Sequence, residues 1–143
     1  HELTLGRNYL PVDAPEDAAP AQTAILTSLR HGRGWCAHPG LADGRGIRFE
    51  AHTARGIVGP GERGEAPARL LLSPGLDGGA AVRLRLSING EERTVATTRG
   101  DRTLRWDAPA PGEYHLEIDI AVPTAWGRSR WAPWAFVNPL VLD

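Results

Sequence analysis

The sequence predicts a mostly-β protein, an antiparallel β-sandwich preceded by one short α-helix. Three observations carry that expectation. After Gly34 the chain breaks into short runs that alternate apolar and polar residues, separated by Gly- and Pro-rich turns. Asn89-Gly90 lies between two such runs, and both residues tolerate the positive φ of a type I′ hairpin turn. The chain closes on an aromatic and aliphatic stretch, Arg130 to Leu142, cut to strand length by Pro133 and Pro139. Strands this short at this spacing point to the immunoglobulin-like kind of sandwich.

Taken in order, residues 1–20 carry Pro11, Pro15 and Pro20 among small and acidic residues. They read as an extended lead-in with no core of its own. Residues 21–143 form the domain. Ala21 to His31 has helical character, because Pro20 suits a first helical position and Gly32 and Gly34 suit a stop. Arg30 and His31 complement its carbonyl end, and Ile25, Leu26 and Leu29 make a narrow apolar stripe. Gly46 to His52 alternates as a strand with one wet face. Residues 53–67, with their glycines and prolines, read as a loop, and Arg69 to Leu72 as a short buried strand.

Ala81 to Ile88 alternates cleanly, with Val82, Leu84, Leu86 and Ile88 facing inward. Arg93 to Thr98 pairs back across Asn89-Gly90, and Thr103 to Trp106 is the next strand. Pro109 to Gly112 turns the chain into the clearest strand, Glu113 to Val122. There Tyr114, Leu116, Ile118 and Ile120 point one way, and His115, Glu117, Asp119 and Ala121 the other. The last strand is 134–142, with Pro139 demanding an edge, a bulge or an end near Asn138. Burying Trp131, Trp134 and Phe136 would remove roughly 150–250 Å² each from water, an upper bound of about 4–6 kcal/mol apiece.

Composition narrows the function classes. With 143 residues the chain is one domain and needs no disulfide or metal to fold. Cys36 is the only cysteine, so no internal disulfide forms. The net charge of −1 gives no bulk attraction to nucleic acid or to an anionic membrane, and no apolar run approaches the ~20 residues of a membrane span. All 16 basic residues are Arg, which with abundant Ala, Gly and Pro marks a GC-rich, bacterial kind of genome. The chain begins at His1 and has no Met, so it is expected to be processed, trimmed or excised from something longer.

Chemistry is harder to place. His31, Cys36 and His38, with Glu50 or His52, are metal-ligating residue types, but their spacing matches no zinc pattern. The serines lie in no G-x-S-x-G elbow, and Cys36, between Trp35 and Ala37, reads as a small core residue. The glycines of 56–64 lack the Gly-Lys-Ser/Thr of a phosphate loop. No catalytic residue is expected in this chain. The best candidate for recognition is the segment from Trp126 to Trp131, where Trp126 and Trp131 bracket Arg128 and Arg130. Aromatic faces beside guanidinium groups suit sugars, anions or a protein surface. The alternative is that Trp131 and Trp134 belong to the core while the arginines are solvated.

Four stretches, in order, resemble one family. Ala24 to Trp35, Gly40 to Phe49, Pro111 to Ile118 and Pro133 to Leu140 resemble the elements that follow the catalytic barrel in PHP-domain proteins, the polymerase and histidinol phosphatase-like metal-dependent phosphoesterases. The resemblance implies that the chain is the C-terminal accessory sandwich of such an enzyme. Its partner would be the upstream barrel of the same polypeptide, with 1–20 leading in from it. In that family His, Asp and Glu ligands hold divalent Zn, Mn or Fe, which activates water against a phosphoester. The family's H-x-H motif is not in this sequence, and this chain is expected to hold no cofactor itself. His1 falls where the family's last ligand, the histidine of a D-x-H, would stand, without the preceding Asp. A reading from a different class is a free-standing binding module for a carbohydrate or protein partner.

Overall fold

A computed structural model describes residues 6–12 and 17–143. Eleven strands and one helix are formed among them: β1 (Arg7–Tyr9), α1 (Ala18–Arg30), β2 (Trp35–Ala37), β3 (Arg48–Thr53), β4 (Gly56–Val58), β5 (Arg63–Gly64), β6 (Ala68–Ser73), β7 (Ala81–Ile88), β8 (Glu91–Arg99), β9 (Leu104–Ala108), β10 (Gly112–Pro123) and β11 (Ser129–Leu142). One sheet runs β4-β3-β6-β9; the other runs β1-β2-β11-β10-β7-β8, with β5 added in parallel to the end of β11. Assigning β3, β6, β7, β8, β9, β10 and β11 to strands A, B, C, C′, E, F and G gives A-B-E facing G-F-C-C′. That is the immunoglobulin-like arrangement, and β1-β2 extends its G edge.

Tyr114 supplies a second mark of this architecture. It is buried at the start of β10 and donates its hydroxyl hydrogen bond to the Ala110 carbonyl, 2.7 Å away and four residues upstream. This is the tyrosine-corner geometry, which pins the turn into strand F. Burial raises the phenol above its ordinary pKa.

The inward residues of both sheets make one core. Val82, Leu84 and Leu86 of β7, Leu116 and Ile118 of β10, and Leu70 and Leu72 of β6 are fully buried, and Ile88 is partly buried against them. The Asn89-Gly90 turn has φ of 51° and 83°, as type I′ requires.

Several elements differ from the sequence expectation. The lead-in contributes a strand, β1, whose Tyr9 stacks on Trp35 at 6.1 Å and packs on the core. The helix begins at Ala18, so Pro20 sits within the first turn, where its missing N–H has no intrahelical partner to lose. It ends in a Schellman turn: Gly32, at φ 64°, donates to Leu29 O, and Arg33 N–H donates to Ser28 O. The segment 53–67 holds β4 and β5 as well as turns.

The last strand is longer than expected and lies inside its sheet, between β2 and β10. Its register against β10 slips twice, once beside Pro133 and once beside Asn138-Pro139. A proline in a central strand removes a ladder hydrogen bond, and a bulge absorbs that loss. Of the three aromatics whose burial was weighed from the sequence, only Trp134 is in the core, at 1% exposure; Trp131 is 37% and Phe136 47% exposed. The bulge at Trp134 and the two-residue alternation turn those two to the outer face. Cys36 is half-buried there as well, paired across the strands with Phe136.

Candidate functional site

The β10–β11 hairpin carries the recognition residues read from the sequence. Its tip is closed by hydrogen bonds between Thr124 and Arg128, N–H to carbonyl at 2.7 Å and Oγ1 to the same carbonyl at 2.9 Å. Gly127 takes φ 68°, a left-handed turn position that favours glycine. This geometry leaves Trp126 91% exposed at the tip. Arg128 follows in the turn, exposed, and Arg130 is exposed opposite Val122. Strand alternation then places Trp131 on the other side of the ribbon from Arg130. The four residues share a hairpin but not a face. The expected platform of two tryptophans bracketing two arginines is therefore split.

Trp131 instead joins a charged cluster that the sequence reading did not single out. On the outer face of the G-F-C-C′ sheet, Asp119 stands opposite Arg83, and Glu117 opposite Arg85. Arg83 donates from Nε (2.9 Å) and Nη2 (2.5 Å) to Asp119 Oδ2. Arg85 donates to Asp119 Oδ2 and Oδ1 at 3.0 and 3.2 Å, to Glu117 at 2.5 Å, and to Glu92. Burial works against the charge on Arg85, but the hydrogen bond and charge of Asp119, with Glu117 and Glu92, outweigh it and raise its pKa. Arg83 also lies 5.1 Å above the Trp131 ring, a cation–π contact worth about 0.5–1 kcal/mol. The alternation of β7 and β10 contained the signal, with arginines on the outward positions of one strand and carboxylates on those of the other. Only the pairing register was needed to join them.

The metal-ligating residue types do not converge. His52 Nε2 lies 3.4 Å from Glu50 Oε2 along the wet face of β3, while His31 Nδ1 is 2.8 Å from the Thr27 carbonyl and donates to it. Among the described residues no three His, Cys, Asp or Glu side chains come together as a metal ion requires. His1 lies outside the described residues.

A further surface belongs to the helix. Its side toward the sandwich is made of small residues, with Ala21 and Ala24 half-buried and Ser28 buried, whereas Ile25, Leu26 and Leu29 are exposed. Asn138 of β11 ties the helix end down, donating from Nδ2 to the Gly32 carbonyl at 2.9 Å. No helix among the described residues is long and apolar enough to cross a membrane. Fold and surface thus define an immunoglobulin-like sandwich with an apolar helix face and an exposed aromatic hairpin. Comparison with known protein families, with curated proteins and with solved structures finds no match to the chain.

Proposed function

We propose that this chain is the accessory C-terminal sandwich of a PHP-type metal-dependent phosphoesterase, with phosphoester hydrolysis carried by an upstream barrel of the same polypeptide. The observation that carries this reading is the face of α1. Three large aliphatic side chains, Ile25, Leu26 and Leu29, are exposed on the element where the resemblance begins. A helix held by Ala and Ser on one side, with Ile and Leu uncovered on the next, suits a domain that rests against a neighbour. The metal ligands and the activated water would belong to that neighbour, and this domain would orient or cover it.

The test is the mass of the native protein in its source cells, read by immunoblot against this domain. A band well above 15.4 kDa is the expected result; a band at that mass overturns the reading. A second reading, a free-standing module for a carbohydrate or protein, is favoured by the exposure of Trp126 at the hairpin tip. It requires that Trp126→Ala abolish capture of the partner while thermal stability stays unchanged.

A further inference from the structure

We infer that the cavity between β2 and the β3–β4 edge is a binding site for a neutral sugar ring. It encloses about 380 Å³, within the usual range of small-ligand sites. Its lining combines an apolar wall with two ion pairs.

The wall is Trp35 with Ile57 and Pro60. Trp35 is rigid, because its ring stacks on Tyr9 at an interplanar angle of 7° and its Nε1 donates to the Gly44 carbonyl at 2.7 Å. Such a surface suits the C–H face of a pyranose, and its fixed rotamer loses little entropy on binding.

The polar groups are Arg33 with Glu62 and Arg48 with Glu50. Arg33 Nη2 lies 3.2 Å from Glu62 Oε1, and the Gly59 N–H donates to Glu62 Oε2 at 2.9 Å. Arg48 donates from Nε and Nη2 to Glu50 at 3.1–3.2 Å. The two arginines and two glutamates of the lining balance in charge, with His52 Nε2 also 3.4 Å from Glu50 Oε2. A charged ligand would have to break a pair, whereas a polyhydroxylated ring would not. The planar groups keep donors and acceptors side by side, and vicinal hydroxyls both donate and accept.

One of those donors is conspicuous. Arg33 Nε is buried and has no hydrogen-bond partner among the described residues, a state that carries a desolvation cost. The site lies apart from the Trp126 hairpin and depends on no upstream domain, so it stands or falls independently of the function proposed above.

The experiment is calorimetric titration of the 143-residue chain with glucose, galactose and mannose, and then with oligosaccharides ending in each. Saturable binding by at least one of these is expected, and comparing the two sets separates a free monosaccharide from a glycan terminus as the source. Arg48→Ala and Arg33→Leu should each weaken binding by about tenfold or more, the scale of losing a hydrogen bond to a charged group. Ile57→Asp, at an exposed position on an edge strand, should abolish it without altering the melting curve. Trp126→Ala should leave it unchanged. No saturable signal with any of these sugars overturns the proposal, and so does binding that survives Arg48→Ala and Ile57→Asp in folded protein.

Discussion

The two faces of the G-F-C-C′ sheet are built from the same strands by opposite means. Inward, β7, β10 and β11 present Val82, Leu84, Leu116, Ile118, Trp134 and Val137, all dry. Outward, the same strands present Arg83, Arg85, Glu117 and Asp119 beside Trp131 and Phe136. On that outer face the usual order is reversed, since Asp119 is 2% exposed while Phe136 is 47%. The carboxylate is covered because two arginines from the neighbouring strand fold over it. Phe136 lies on β11 beside the three-residue strand β2, and little stands above it. Burial in a sheet therefore follows the reach of neighbouring side chains as much as polarity.

Substitutions separate the two faces. The largest effect belongs to the inner one: Trp134→Ala should lower unfolding free energy by about 3–5 kcal/mol in urea titrations, the cost of truncating a buried large aromatic. Should it cost no more than a surface change, the assignment of Trp134 to the core fails. On the outer face, Asp119→Ala deprives Arg83 and Arg85 of a shared acceptor. Both arginines retain some access to water and Arg85 keeps Glu117 and Glu92, so the expected loss is smaller, about 2 kcal/mol. A double-mutant cycle with Arg83→Ala should show that loss shrinking, because one orphaned cation is gone. Additive effects would mean that the network does not act as a unit.

The smallest effect is at the corner residue. Tyr114→Phe removes one hydrogen bond, worth about 1 kcal/mol. Its pH signature is the sharper test. Because the folded-state pKa is raised, the folded protein holds the phenol proton where the unfolded chain has released it. The resulting stability is complete below the ordinary phenol value of about 10 and is lost as pH climbs from there through the folded pKa. Melting curves across that alkaline range should fall more steeply for the native protein than for Tyr114→Phe.

Where the sequence was informative, alternation was the reason. The run Ala81 to Ile88 is β7 as expected, and Tyr114, Leu116, Ile118 and Ile120 face inward along β10, because a period of two leaves no freedom once one face is buried. The lead-in was less legible. Arg7–Tyr9 has no alternating pattern to read, and it becomes a strand only because β2 offers an open edge. The same holds for β4 and β5, of three and two residues in a Gly-rich segment. The hairpin residues were visible by type. Their division between two faces followed from where β11 starts relative to the turn, which composition does not encode. Arg33 was invisible as a site residue, since Glu62 and the β3–β4 edge reach it only through folding.

The position of β11 has a consequence for the order in which the chain can assemble. The ribbon β1-β2 touches the rest of its sheet only through β11. During vectorial synthesis, β3, β4 and β6 to β10 can pair as they emerge, while the helix and its flanking strands are held only by contacts such as Arg33–Glu62 and Trp35 Nε1–Gly44. Their docking into the sheet waits for about a hundred further residues to be made, and then β11 joins β2, β10 and β5 together. Such a long-range closure is slow, and until it happens the β10 edge beside Trp134 stands open. A stop or frameshift within the fourteen codons of β11 would then leave β1 and β2 with no sheet to join, though not one of their own residues had changed.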